Sequence, residues 1–465
     1  MNVSFFQELL NTIGERGRSL LDFKTGSDGK DSIEDLSRAL LSSRGEASGV
    51  AIASSILNQY RELDDAEKKA FLSFLGTEFR PDPDRVAAAA RAYLDDPTPK
   101  ALEELAEVVE SPVQEFFRRL NLAPGATARI VAMRQDLLHL CSQDPVLQAL
   151  DRDLLHLLGS WFNRGFLVMR RIDWSTPASI LEKIIEYEAV HEISGWEDLR
   201  RRLDPRDRRC FGFFHPSLND EPLIFVEVAL TDEIPGSIQA LLSGEAEPTP
   251  KPTTAVFYSI SNCQEGLRGI SFGNFLIKQV AEDLSREIPS LKTFVTLSPV
   301  PRFAAWLVRM QAEGLLSDED LEALKTLEDS GWPAHRDSRN RLKETLLPLA
   351  AEYFLTARTR HGKPVDPVAR FHLGNGARLE RINWLGDKSA KGLRQSHGLM
   401  VNYLYDLRYI EQNHEAFVNE GVIAASKAVH SLLRDKSKLA GDRAASSKGR
   451  SAQSKKKKED HVLQE

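Results

Sequence analysis

Cysteine is scarce: the 465 residues include three, Cys141, Cys210 and Cys263. Their wide spacing excludes a disulfide framework and a CxxC zinc pattern, leaving three small apolar side chains of the kind normally buried. Long apolar runs are missing too. No stretch of about 18 consecutive apolar residues occurs, so no membrane-spanning helix is expected. The opening residues MNVSFFQELLNTIGER lack the basic segment and small-residue cleavage site of a secretory signal, and a cytoplasmic location is the expectation. There is no excess of positive charge. A formal net charge of −7 excludes a global basic field for nucleic acid, so an anionic ligand needs a local site. No HExxH or paired-Cys pattern supplies metal ligands, and the Walker loop, the GxGxxG fingerprint and the Gly-x-Ser-x-Gly elbow are all absent.

What is present divides the chain by texture. From Phe5 to about Asn163 apolar residues recur at helical spacing, which predicts an all-helical domain over 1–163. Ser32 with Asp35 and Asp64 with Glu67 have the spacing of capping boxes, and Thr98-Pro99 and Ser111-Pro112 place proline at a first helical position. The stripe Val113, Phe116, Phe117, Leu120 buries one face before Pro124-Gly125. After Gly165 short β-branched and aromatic runs alternate with helical stretches. Strands are expected at Cys210–Phe214, Leu223–Leu230, Ala255–Ser261 and Thr293–Leu297, with a helix over Gly273–Arg286 between the last two. The fold class is therefore α+β, a helical domain followed by a mixed-sheet domain over 164–434. Residues 244–254, with three prolines, form an exposed connection. From Asp435 the chain is Ser, Lys, Gly and Ala with the run Lys455–Lys458, which predicts a disordered tail over 435–465.

Three segments offer chemistry. The first runs from Ser259 to Lys278 and carries Gly266, Gly269 and Gly273 between a strand and a helix, where backbone N–H groups can meet phosphate oxygens. Arg268 adds a cation, although packing glycines and a solvated arginine explain the same pattern. The second is Thr296-Leu-Ser298-Pro-Val-Pro301-Arg-Phe303, a stiff exit from a strand. Ser298 here either serves a site or caps the following helix. The third is Arg370-Phe-His372-Leu-Gly-Asn-Gly-Ala377, in which His372 stands beside a Gly-Asn-Gly turn that lets a side chain reach a cleft.

Together these segments resemble the malonyl-CoA decarboxylases. The resemblance runs in order from about 160 to 410 through SWFNRGFL, EPLIFVEVALT, FYSIS, QEGLRGISFGNFLIK, TLSPVPRF, FHLGNGARLERINWLGDKS and GLMVNYLYDL. It implies a helical domain used in homo-oligomer assembly, with a tetramer the family's suggestion, and a sheet domain of the acetyl-CoA-dependent N-acetyltransferase fold. By matching motif the catalytic pair is Ser298 and His372. Ser259, Arg268, Gly269, Ile270, Ser271, Phe272, Gly273, Asn274 and Tyr405 are the substrate-binding residues, and the glycine turn is the seat of the CoA pyrophosphate. The turn departs from the strict acetyltransferase pattern of Arg or Gln, two residues, Gly, one residue, Gly or Ala. The implied partners are malonyl-CoA and acetyl-CoA, without nucleic acid or membrane. No metal or organic cofactor is demanded, because the thioester carbonyl is itself the electron sink. His372, whose residue type titrates near 6.5, is the expected proton donor. Ser298 is assigned to the carboxylate or the carbonyl oxygen. An amine acyltransferase and a non-catalytic CoA-binding scaffold are the competing readings.

Overall fold

The computed structural model describes residues 31–434 except 43–44, 142, 219, 244–249 and 271–274. The glycine-turn residues Ser271–Asn274 and the whole 435–465 segment thus lie outside the described residues.

Eight helices come first among them: α1 Ile33–Leu41, α2 Glu46–Glu62, α3 Asp65–Glu78, α4 Pro83–Asp95, α5 Pro99–Val109, α6 Pro112–Leu120, α7 Ala126–Leu140 and α8 Pro145–Trp161. Local signals set their starts. Asp64 and Glu67 form a reciprocal capping box on α3, Ser32 accepts from Asp35 N ahead of α1, and Thr98 accepts from Ala101 N ahead of α5. Ser111 makes no side-chain cap, so Pro112 alone marks that start. The stripe Val113, Phe116, Phe117, Leu120 is wholly buried, as its spacing predicts.

From Val168 the chain builds an eight-stranded mixed sheet: β1 Val168–Ile172, β2 Arg208–Phe214, β3 Pro222–Thr231, β4 Thr254–Asn262, β5 Thr293–Thr296, β6 Ser298–Pro299, β7 Arg378–Asn383 and β8 Met400–Leu404. Strands β1 to β4 are antiparallel neighbours, β4 and β5 run parallel, and β8 pairs antiparallel with β5, β6 and β7. Helices α9 Ala178–Tyr187, α10 Trp196–Leu203 and α11 Ile238–Leu242 precede β4. Helix α12 Phe275–Glu287 makes the crossover to β5, as a parallel pair requires. After β6 come α13 Phe303–Ala312, α14 Asp318–Leu324, α15 Arg336–Leu355 and α16 Pro367–Gly374; α17 Ala390–Ser396, α18 Ile410–Glu420 and α19 Lys427–His430 complete the chain. No helix among the described residues is long and apolar enough to cross a membrane. This is the helical region followed by a mixed sheet that the sequence leads one to expect.

The sheet separates two environments. One face joins Val226, Val228, Phe257 and Phe294 to the apolar side of α12 and to the helical region in a single continuous core. The other carries Phe225 with α9 and α10, and Val256, Tyr258 and Val295 with α11. Cys210 and Cys263 are buried small side chains on that second side; Cys141 is partly buried against the main core.

Candidate active site

The site is built where the parallel strands part. Phe257 pairs with Thr296, and one further bond runs from Leu297 N to Phe257 O. Beyond that point β4 continues along β3 to Asn262, whereas Ser298 and Pro299 swing to β8. Proline supplies no N–H for a central ladder, so the Ser298-Pro-Val-Pro301 sequence produces this departure. Ser298 is therefore not a helix cap; the residue at that position ahead of α13 is Arg302.

His372 arrives from the opposite direction. Asp366 accepts from Val368 N and Ala369 N, Pro367 occupies the first helical position, and α16 begins there. Two turns later the helix ends at Asn375 and Gly376. Gly376 has φ 79°, and a Cβ there would lie 2.1 Å from Ile410 O, so glycine alone makes this turn. His372, on the last turn, is thereby held against the start of β6.

Six side chains gather in one buried array. His372 Nε2 lies 3.1 Å from Ser298 Oγ, and His372 Nδ1 lies 2.8 Å from the Tyr405 hydroxyl. Ser298 Oγ donates to Thr296 Oγ1 at 2.8 Å, and Thr296 Oγ1 also accepts from Tyr403 N at 3.2 Å. Tyr405 is fixed by its own N–H to Phe294 O at 2.8 Å. The Tyr403 ring stacks on the imidazole with centroids 4.6 Å apart. Burial pushes His372 down to about 3 and the Tyr405 phenol well up, so both are neutral near pH 7. The Asn375 carboxamide opposes the rise at Tyr405, though its Nδ2 lacks hydrogen-bond geometry to any described residue.

His372 is not an imidazolium near its ordinary value, because a fully enclosed ring cannot be solvated as a cation. It can still relay a proton, with Tyr405 donating to Nδ1 and Nε2–H donating to Ser298, whose hydroxyl donates in turn to Thr296 Oγ1. Three members escaped the sequence reading. Thr296 and Tyr403 sit inside strand-like apolar runs, and Asn375 reads as a turn residue; nothing in local pattern marks them.

The remaining candidates divide. Ser259 is not brought to the array. A bulge at Tyr258, where Glu227 pairs with Ser259 but Val228 with Phe257, turns Ser259 to the sheet's other face. There its hydroxyl donates to Glu188 Oε2 at 2.7 Å and lies 3.2 Å from Ser261 Oγ. Arg268, Gly269 and Ile270 follow a short helical turn, Glu265–Leu267, between β4 and α12. Arg268 is 62% exposed and meets Glu265 at 3.6 Å, Gly269 has φ 92°, and Ile270 is partly buried against the main core. Ser271, Phe272, Gly273 and Asn274 fall outside the described residues.

A model of the malonyl-CoA decarboxylase C-terminal domain matches residues 165–443, and one of the malonyl-CoA decarboxylase N-terminal domain matches 79–162. A mitochondrial malonyl-CoA decarboxylase from Anser anser anser is 34% identical over 419 residues, covering 82% of this chain and 83% of its own. Its counterpart from Rattus norvegicus is 36% identical over 347 residues, covering 68% and 70%. The crystal structure of malonyl-CoA decarboxylase from Rhodopseudomonas palustris superposes with TM-score 0.83 at 56% identity, covering 86% of this chain and 98% of its own. That from Cupriavidus metallidurans gives 0.68 at 38% identity, with coverage of 86% and 98%.

Proposed function

Because the chain belongs to the malonyl-CoA decarboxylase family, we propose that it converts malonyl-CoA to acetyl-CoA and carbon dioxide, with the Tyr405–His372–Ser298 array as its proton path. The single observation that carries the reading is that array: neutral, buried, and continuous from Tyr405 to the point where β4 and β5 part. The acyl arm of the substrate enters this parting, and the pyrophosphate rests on the Arg268–Ile270 loop.

The chemistry asks little of the protein. The bond between the carboxylate carbon and the α-carbon breaks, its electron pair moves onto the thioester oxygen as an enolate, and carbon dioxide leaves. The α-carbon then takes one proton. Ser298 delivers it, His372 Nε2–H replaces it, Tyr405 protonates Nδ1, and solvent reprotonates the phenol. Serine and phenol end as they began, whereas the imidazole ends as its Nδ1–H tautomer; once product has left, uptake of a proton at Nε2 and loss of one from Nδ1 restore the starting form. Enclosure serves the reaction twice, since it strengthens hydrogen bonds to the developing enolate and keeps the imidazole neutral. Asn375 Nδ2, without a partner among the described residues, is available as a donor to the enolate oxygen.

The test is incubation of the purified protein with malonyl-CoA and no second substrate. Equal amounts of acetyl-CoA and carbon dioxide are expected. Turnover that appears only on adding an amine, with the malonyl group transferred intact, would replace this reading with an acyltransferase.

A further inference from the structure

We propose that Arg134, a residue of the helical region more than 130 positions in sequence from the loop it holds, is a positioning residue for CoA binding. The proposal rests on the CoA-thioester reading above and names what holds that site in shape.

Arg134 lies on α7 and is 2% exposed. A guanidinium so enclosed must spend its donors on fixed acceptors. Nε meets Asp151 Oδ1 on α8 at 2.8 Å, which keeps the charge within the helical region. Nη1 leaves that region and donates to two backbone carbonyls of the loop, Gly266 O at 2.7 Å and Arg268 O at 2.9 Å. The fit around these bonds is close. A Cβ on Gly266 would lie 2.0 Å from Val131 O, and one on Gly269 would lie 3.4 Å from the Leu155 side chain. At the same seam His139 Nε2 stands 3.1 Å from Glu265 Oε2.

The consequence follows from peptide geometry. In a trans peptide the C=O and the next N–H point in opposite directions. By drawing the Arg268 carbonyl inward, Arg134 aims the Gly269 N–H outward, where no described residue accepts it. The N–H groups on either side are already used, Arg268 N on Glu265 O and Ile270 N on Leu267 O. The outward donor, beside the exposed Arg268 cation and on a glycine at φ 92°, is suited to a pyrophosphate oxygen. The helical region thus sets the orientation of a CoA-binding amide.

The experiment compares Arg134→Met and Asp151→Asn with the unmodified protein on malonyl-CoA and on malonyl-pantetheine, which lacks the nucleotide and pyrophosphate. Free CoA and pantetheine binding are measured by calorimetry, with melting curves alongside. Arg134→Met is expected to raise KM for malonyl-CoA and Kd for CoA about tenfold, the size of one lost charge-assisted hydrogen bond. kcat should stay within about twofold, and the constants for the pantetheine compounds should not move. Asp151→Asn, which leaves Arg134 in place but without its carboxylate, should show the same pattern at about threefold and covers the case in which Arg134→Met does not fold. Unchanged CoA affinity in both variants, or an equal loss with malonyl-CoA and malonyl-pantetheine, overturns the proposal. The calorimetric arm needs no turnover, so failure of the decarboxylase reading shows separately, as an unmodified protein that binds CoA but releases no carbon dioxide.

Discussion

At the scale of single residues, burial decides what His372 can do. The ring is pushed down to about 3 by desolvation, so between pH 5 and 8 it is a neutral imidazole with one donor and one acceptor nitrogen. A group in that state relays protons and does not store them. Two outcomes are expected. His372→Ala and Ser298→Ala each lower kcat by at least about 100-fold with CoA affinity retained, because each removes a contact that gains strength only as charge moves. Circular dichroism of both variants distinguishes this from misfolding. The kcat–pH profile of the unmodified protein should show no acid limb near 6.5, the midpoint that a solvated histidine imposes; a clear inflection there would mean that the imidazole works in its charged form. At this scale the sequence was informative about what a motif can carry. Ser298 and His372 stand in runs whose turn residues announce them. Thr296 reaches Ser298 only two residues on, but Tyr403 joins them through a tertiary contact between β5 and β8, and no window of neighbouring residues encodes that contact.

Four of the eight strands were legible as elements. The expected strands β2, β3, β4 and β5 are apolar because both faces are covered, and their observed limits differ from expectation by one or two residues. Of the strands not expected, β8 is as buried as these, β6 is two residues long, and β1 and β7 are of another kind. β1, Val-Met-Arg-Arg-Ile, lies at the sheet edge with four residues not fully buried; β7, Arg-Leu-Glu-Arg-Ile-Asn, spends its charged side chains on local pairs such as Arg378 with Glu380. Both read as solvated turns until β2 and β8 are placed beside them. The segment after Leu407 forms two helices, α18 and the short α19, in which Ile410 and Val429 are buried but Val418 and the following Val422 are exposed. The turn that ends α16 supplies a prediction. Gly376→Ala adds a methyl group 2.1 Å from Ile410 O at a backbone angle unfavourable to any L side chain. The variant should lose more than about 1 kcal/mol of stability by chemical denaturation and fall in kcat, since the same turn holds His372 against Ser298. A variant as stable and as active as the parent would show that α16 tolerates a shift.

For the molecule as a whole, the enclosed ionisable groups set the pH at which folding is most favourable. Burial holds His372 near 3 and both His191 and His397 near 4, against about 6.5 in an unfolded chain. Below 6.5 the unfolded chain binds three protons that the folded one refuses, so acid removes stability. Glu227 acts in the opposite sense. Enclosed between β2 and β4 and facing the Glu188 carboxylate, it is raised to about 8 despite Arg202 at 3.3 Å. From about 4.5 up to 8 the folded chain keeps a proton that the unfolded chain has lost, and rising pH removes stability over that window. Between 4.5 and 6.5 the lowered histidines, among which His215 also counts, outweigh Glu227, so acidification removes stability over that range. Between 6.5 and 8 only Glu227 contributes, about 1.4 kcal/mol lost for each unit of alkalinisation. Stability is therefore expected to peak near pH 6.5, with an acid side steeper than the alkaline side, when melting is followed by calorimetry across pH 5 to 8. Glu227→Gln checks the assignment, because glutamine matches the protonated acid in shape and cannot ionise. Its melting temperature should equal that of the parent near pH 5, exceed it by a growing margin toward pH 8, and leave the acid side intact. A variant that melts lower at every pH would mean that the Glu227 carboxylate is ionised in the fold and that its pairing with Arg202 holds α10 to the sheet.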